Sequence, residues 1–400
     1  LQVKPGDFLQ IDLINDLSEP TNLHTHGLHV SPLTPGDNVL LDIPPGNTFR
    51  YQYTIPKDHP GGTYFYHPHH HGLATNQTFK GMAGLIIVDG DIDQIPGIAG
   101  LPERSLVLQR SRIENGAIPT PSPNSTTNPG PAHQGTVFVN GALKPIMFIR
   151  PGETQRWRLL NATVSSLWNF TIEGHPMTLI AQDGNTLANA TTLNSVAIAT
   201  AQRRDVLVVG SSQPGVYRVQ YQDTQGAFGS PPAPVDLAYL VVMGAAMQPQ
   251  PLPTTLLPFV DLRNLPVDRH RAIEFQIIGN PASPTFAGQG FVIDGRPFDP
   301  NRIDIFAQLG ALEEWTVSNS SGLTHPFHIH INPFQITHIG GQPVDALSYE
   351  DTTDVAAKSG SVNGSITFRT RYLDFPGTWV FHCHILGHED GGMMGTIQVS

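Results

Sequence analysis

Near the end of the chain runs His382-Cys383-His384-Ile385-Leu386-Gly387-His388, with Met393 five residues further on. Cys383 is the only cysteine in the 400 residues. A thiolate beside imidazoles, with a thioether in reach, is the donor set of a blue-copper electron-transfer site. Three further segments also carry histidines two apart: His24/His26, His67/His69 and His328/His330. Successive side chains of a strand point to opposite faces, so each pair presents two imidazoles to one side. With His382/His384 that makes eight imidazoles from four strands, too many for one metal and suited to a cluster of three.

The same alternation divides the opening motif. If His382 and His384 face the cluster, Cys383 faces away from it, toward a separate metal. His325 precedes His328 by three residues and falls on the Cys383 side. His388 supplies a second imidazole there. Met393 is the candidate axial ligand, with the adjacent Met394 as its competitor. An electron accepted at Cys383 then has a short covalent route to His382 or His384.

These motifs need strands to carry them, and the composition supplies strands. The chain has 39 Gly, 36 Pro and 14% charged residues, which favours many short strands and turns over long helices. No apolar run is long enough for a transmembrane helix. The formal net charge of −11 disfavours nucleic-acid and anionic-membrane partners. One cysteine allows no intrachain disulfide, so cysteine usage leaves the compartment open.

An internal repeat organises the chain. Val3–Asn15, Ile149–Asn161 and Phe306–Asn319 each read as a turn and an alternating strand ending at Asn. Each leads to a strand with histidine at or near its start: His24-Thr-His, Phe170-Thr-Ile-Glu-Gly-His175 and His325-Pro-Phe-His-Ile-His330. A second repeated unit is Pro60-Gly-Gly-Thr-Tyr-Phe-Tyr-His67, Pro214-Gly-Val-Tyr-Arg-Val-Gln220 and Pro376-Gly-Thr-Trp-Val-Phe-His382. The middle copy lacks the histidine pairs. Three β-domains are therefore expected, over 1–95, 96–247 and 248–400, the last entered by the proline-rich Gln248–Pro253. Asn115–Pro131 reads as a long surface loop. Seven Asn-x-Ser/Thr sequons occur, at Asn76, Asn124, Asn161, Asn169, Asn189, Asn319 and Asn363. They fit secretion but also arise by chance in an Asn- and Thr-rich chain. The chain opens on a strand-like stretch, as though a leader and a first strand precede it.

The four motifs, His24-Thr-His-Gly, His67-Pro-His-His-His-Gly, His325-Pro-Phe-His-Ile-His and His382-Cys-His-Ile-Leu-Gly-His388, resemble those of three-domain multicopper oxidases of the laccase and bilirubin-oxidase type. The resemblance covers essentially the whole chain. It implies an all-β fold of three cupredoxin-like Greek-key β-sandwich domains. It also implies four coppers. His24 and His328 would hold a type 2 ion. His26, His67, His69, His330, His382 and His384 would hold a type 3 pair. His325, Cys383, His388 and Met393 would hold a type 1 ion. Asp37 and Glu389 stand where the family has acidic residues, which makes them candidates for delivering protons. Reduction of O2 to water consumes four of these. Asp37 also reads as a turn residue and Glu389 as a surface-loop residue.

The expected function is one-electron oxidation of phenols, aromatic amines or similar small molecules, coupled to O2 reduction. The enzyme is expected as a secreted or periplasmic monomer. A methionine axial ligand predicts a low-to-medium potential. A metallo-oxidase of Cu(I), Fe(II) or Mn(II) is an alternative. It is disfavoured because the chain has 7 Met and no methionine-rich segment. A nonenzymatic copper or electron carrier would leave the other histidine pairs surplus. Ten of the 18 histidines are used in this assignment. His70 and His71 are expected outside the ligand set, and His175 as a relic without metal. His29 is read as a polar position, with the cluster's solvent channel as an alternative. His59, His133, His270 and His338 are read as solvated or structural.

Overall fold

Leu9, Ile11 and Leu13 on the strand Phe8–Ile14 turn inward while their neighbours face water, the period-two pattern of a half-buried strand. That pattern recurs throughout the computed structural model, which describes residues 1–119, 135–224, 232–279 and 290–400. It is nearly all β, with 48% strand and 5% helix. The described residues form six sheets, two from strands between Gln2 and Val88, two between Glu103 and Val242, and two between Arg269 and Val399. These are three cupredoxin-like sandwiches. Residues 120–134 lie outside the described residues, and with them most of the expected Asn115–Pro131 loop.

Each sandwich has its own core. The first centres on Tyr51, Tyr53, Tyr64, Ile86 and Val88. Trp157, Trp168 and Phe170 dominate the second, and Trp315, Trp379, Phe327 and Phe368 the third. All four tryptophans are at most 1% exposed, and large aromatic burial of this kind supplies most of a sandwich's apolar area.

The repeated asparagine has a structural reason. Asn15, Asn161 and Asn319 each end or follow a strand and are buried. The side-chain amide of each donates to backbone carbonyls on both sides of the next loop: Glu19 and Ile43, Ser166 and Ile198, Leu323 with Val355 and Ala356. Each Oδ1 accepts the N–H two residues on, from Leu17, Thr163 and Ser321. One residue thereby fixes the loop that delivers the following strand. In two copies the residue at the third position is Thr163 or Ser321, so a sequon results from turn chemistry. Asn161 and Asn319 are 0% exposed and offer no glycosylation site in the folded chain.

Register brings the histidine strands together. His24 lies opposite His67 in the first sandwich. In the third, His328 lies opposite His382 and Phe327 opposite Cys383. Two short helices, Ala74–Phe79 and Leu386–Asp390, follow the second and fourth motifs and pack on one another. The Asp390 carboxylate accepts the N–H groups of Gly72 and Thr75, both at 2.8 Å, and so ties the third sandwich to the first.

Candidate copper centres

Strand alternation has the consequence expected for the last motif. His382 and His384 enter a histidine cluster between the first and third sandwiches. Cys383, on the opposite face, enters the core of the third. Four cluster histidines come from the first sandwich and four from the third, all at most 3% exposed. His24 stacks on His330 and His26 on His328, each pair with centroids 3.8 Å apart. His69, His330 and His382 form one three-donor group, and His26, His67 and His384 another. Those six are the histidines assigned to the type 3 pair, and His24 and His328 remain, grouped with His26.

Four of the rings are held by one nitrogen so that the other faces inward. His24 donates from Nδ1 to Asp37 (2.8 Å), His67 from Nδ1 to the Pro68 carbonyl (3.0 Å), and His328 from Nδ1 to the Asp351 carbonyl (2.7 Å). The opposite nitrogen, Nε2 in each of these three, is buried without a hydrogen-bond partner. His26 reverses the pattern, with Nε2 on Asp351 (2.9 Å) and Nδ1 free. Outer groups of this kind fix ring orientation in metal sites. A buried polar atom left unpaired costs about 1–3 kcal/mol, so several converging in one cavity require an acceptor of their lone pairs. Burial pushes His67 and His328 down to about 3. The imidazoles are therefore neutral and ready to ligate near neutral pH. This donor set fits copper.

The second centre lies across the strand. His325 Nδ1 is 3.3 Å from Cys383 Sγ, His388 Nδ1 is 3.6 Å from it, and the two nitrogens are 3.1 Å apart. Burial pushes the Cys383 thiol well up, so a bound cation must supply the stabilisation of the thiolate. Ser321 hydrogen-bonds His325 Nε2 at 2.7 Å, and Asn319 in turn holds Ser321. Phe291 stacks on His388 at 4.3 Å.

The two methionines separate clearly. Met393 is 0% exposed and shares the core that contains Cys383. Its N–H donates to the His388 carbonyl (2.8 Å), and its carbonyl accepts the Cys383 N–H (3.1 Å). Met394 pairs with His382 and packs against Val39 and Val380 instead. Met393→Leu nearly conserves volume and should cost less than about 1.5 kcal/mol. If Met393 is the axial donor, the change removes a thioether that favours Cu(II), and a redox titration of the copper-loaded variant should give a raised midpoint. An unchanged midpoint would remove Met393 from the ligand set.

Both acidic candidates are buried against cluster histidines. Asp37 Oδ2 accepts from His24, while its Oδ1 accepts from the Thr25 N–H (2.8 Å) and hydroxyl (3.1 Å). Burial pushes its carboxyl up to about 7 against the pull of the Thr25 hydrogen bonds. Glu389 does not lie on a surface loop: it is 0% exposed, on the helix Leu386–Asp390. Its oxygens are 3.1 Å from His382 Nδ1 and 3.5 Å from His69 Nδ1, yet neither has an aligned hydrogen-bond partner. Burial, then the nearby Asp390, pushes this carboxyl well up.

The remaining histidines divide between packing and surface. His59 is buried and accepts the His29 N–H, and burial lowers it to about 4. His29 bridges the first and third sandwiches, bonding the Ile331 carbonyl and Asp374. His175 accepts the Ser211 N–H and contacts the Glu173 carbonyl, and it joins none of the candidate metal groups. His70 faces Asp42, His71 is exposed and His270 pairs with Glu314 at the surface. His338 contacts Thr337, and His133 lies outside the described residues. The sequence reading missed Ser321 and Asp351. Both act on ring nitrogens turned away from the centres, and no spacing rule marks them.

Profiles of the multicopper oxidase family match residues 1–92, 105–244 and 266–400. The chain belongs to the multicopper oxidase family. It is similar to multicopper oxidase mco of Staphylococcus haemolyticus, 28% identical over 409 residues, covering 100% of this chain and 81% of that protein. It is also similar to the cell division protein FtsP of Xenorhabdus nematophila, 25% identical, covering 100% of this chain and 82% of that one. Among solved structures, a multicopper oxidase from Campylobacter jejuni described as a metallo-oxidase superimposes with a TM-score of 0.86. It is 28% identical and covers 100% of this chain and 84% of that one. The proteins this chain is similar to thus carry names for quite different roles.

Proposed function

We propose that this chain is a laccase-type oxidase that takes single electrons from small organic donors and passes them to O2. Its convergence of His325, Cys383 and His388, one covalent step from two cluster histidines, carries the reading. Four bound coppers would supply the redox chemistry, one at His325, Cys383, His388 and Met393 and three among the eight cluster histidines. The protein's part is positional. Cys383 and its two neighbours in the chain put the electron-accepting face and the O2-reducing face on the two sides of one strand. Asp37 and Glu389 hold protons beside the cluster. Burial of all eight rings excludes bulk water from it. His388 is 6% exposed, so a donor at the surface over this ring needs only close approach. Both halves of the cluster come from one chain, which supports function as a monomer. The chemistry suits a secreted or periplasmic setting.

Among the described residues, all groupings of three potential metal-ligating side chains belong to these two centres. The likeness to the C. jejuni metallo-oxidase favours the second reading, oxidation of Cu(I), Fe(II) or Mn(II). Oxygen-electrode rates on a panel of phenols, aromatic amines and Cu(I) separate the two. The expected result is faster O2 uptake with the organic donors. Faster turnover of Cu(I) would establish the metallo-oxidase reading, and no O2 uptake with all coppers loaded would overturn both.

A further inference from the structure

The middle sandwich contributes no histidine to either centre, yet one of its side chains reaches the cluster's outer shell. Arg203 opens the strand Arg203–Val209 and is 0% exposed. Its guanidinium makes a two-pronged ion pair with Asp351 of the third sandwich, Nη1 to Oδ1 at 3.0 Å and Nη2 to Oδ2 at 2.6 Å. Nε donates to the Thr63 carbonyl of the first sandwich at 3.1 Å, and Nη1 also donates to the Ala201 carbonyl. One side chain thus joins all three sandwiches.

Asp351 is the residue through which this reaches the cluster. Its Oδ1 accepts from His26 Nε2, and its backbone carbonyl accepts from His328 Nδ1. Those two rings come from different sandwiches and stack on each other. The Thr352 hydroxyl donates to Asp351 Oδ1 and lies 3.3 Å from both rings. The middle sandwich also holds this turn from behind, with Gln202 donating to the Thr352 carbonyl and Asp183 accepting the Thr352 N–H.

The glycine of His24-Thr-His-Gly follows from the same arrangement. Gly27 has φ +82°, and a Cβ there would lie 2.3 Å from Arg203 Nη2 and 2.5 Å from Asp351 Oδ2. The ion pair occupies the space that any other residue would need. A guanidinium beside a cationic cluster is electrostatically unfavourable in itself, so its placement must serve another end. A planar fork that fixes a carboxylate in two directions does so.

We propose that Arg203 is a positioning residue for the copper cluster, holding Asp351 so that one residue orients His26 from one sandwich and His328 from another. The middle sandwich is then part of the metal site. The inference rests on the assignment of the eight histidines to copper, which the copper content of the wild-type chain tests separately.

The test uses copper-loaded Arg203→Lys, which keeps the charge and loses the fork. Asp351→Asn serves as a second variant, and Arg156→Lys as the control. Arg156 is an equally buried arginine of the middle sandwich, paired with Asp205 and Asp93 rather than with a residue that holds a cluster histidine. Each protein is titrated with a copper chelator while retained copper, the visible absorption of the Cys383 centre and the EPR spectrum are followed. For Arg203→Lys and Asp351→Asn, cluster copper should be lost at about 10–100-fold lower chelator than in the wild type. Their cluster EPR signal should change, and the Cys383 absorption should remain. Arg156→Lys should match the wild type. Wild-type retention and EPR in Arg203→Lys would overturn the proposal. So would equal loss of cluster copper in Arg156→Lys. If Arg203→Lys does not fold, Asp351→Asn decides by the same criteria.

Discussion

Cys383→Ser should abolish donor oxidation while leaving the fold and most of the bound copper in place. The expected loss in turnover is at least about 10³-fold, the scale seen when an essential member of a catalytic unit is removed. Stability should change far less. Cys383 is 0% exposed in the apolar core of the third sandwich, and serine places a hydroxyl of similar size there. An unsatisfied buried hydroxyl costs about 1–3 kcal/mol. His325 and His388 remain, but a hydroxyl does not replace a thiolate as a soft ligand for copper. The variant should lose the intense visible absorption and retain the cluster copper, because His382 and His384 face the other side of the strand. Copper analysis, visible absorption and oxygen uptake on one preparation check this together. Donor oxidation at wild-type rate without the blue absorption would mean that electrons enter elsewhere.

The separation of those two effects depends on a feature that was readable in the sequence. Period-two alternation assigned His382 and His384 to one face and Cys383 to the other, and placed His325 with Cys383. The structure brings these groups together in that way because both strands are regular through the motif, with Phe327 opposite Cys383. The three-fold repeat was equally legible, since Asn15, Asn161 and Asn319 do the same job in each copy. Other parts of the site gave no local signal. Asp351 and Arg203 are 148 residues apart in sequence and meet only when three sandwiches have packed. Asp351 lies in Glu350-Asp-Thr-Thr-Asp354, an ordinary acidic stretch, and Arg203 in a strand whose one other arginine, Arg204, pairs with Asp183. The burial of Glu389 was hidden for a related reason. His388-Glu-Asp-Gly-Gly reads as a polar loop, but the chain coils into a short helix there and Asp390 docks it on the first sandwich. Long-range ion pairs and docking of this kind follow from tertiary packing, which leaves no period in the chain.

Replacing the buried carboxyls should slow turnover in a pH-dependent way. Asp37 is pushed up to about 7, close to the working pH at which a general acid is most effective. Its protonated fraction falls as pH rises through that value. If Asp37 supplies protons to O2 reduction, the wild-type rate should decline by up to about tenfold per pH unit above 7. Asp37→Asn keeps one acceptor oxygen, which can serve the His24 Nδ1–H so that the ring stays oriented, while its NH2 donates to the Thr25 hydroxyl and leaves the Thr25 N–H without its acceptor. It has no proton to release near neutrality. Turnover should fall by about 10²-fold and the alkaline decline should disappear. Glu389→Gln should lower turnover on the same scale, since its carboxyl lies within ion-pair reach of both His69 and His382. Its pH profile should keep the alkaline decline set by Asp37. A merely structural role predicts a different pattern, with copper loss and lower thermal stability but an unchanged profile in the enzyme that remains. Rates from pH 5 to 9, normalised to bound copper, distinguish the two. Normal turnover across that range in both variants would remove both carboxyls from the proton path.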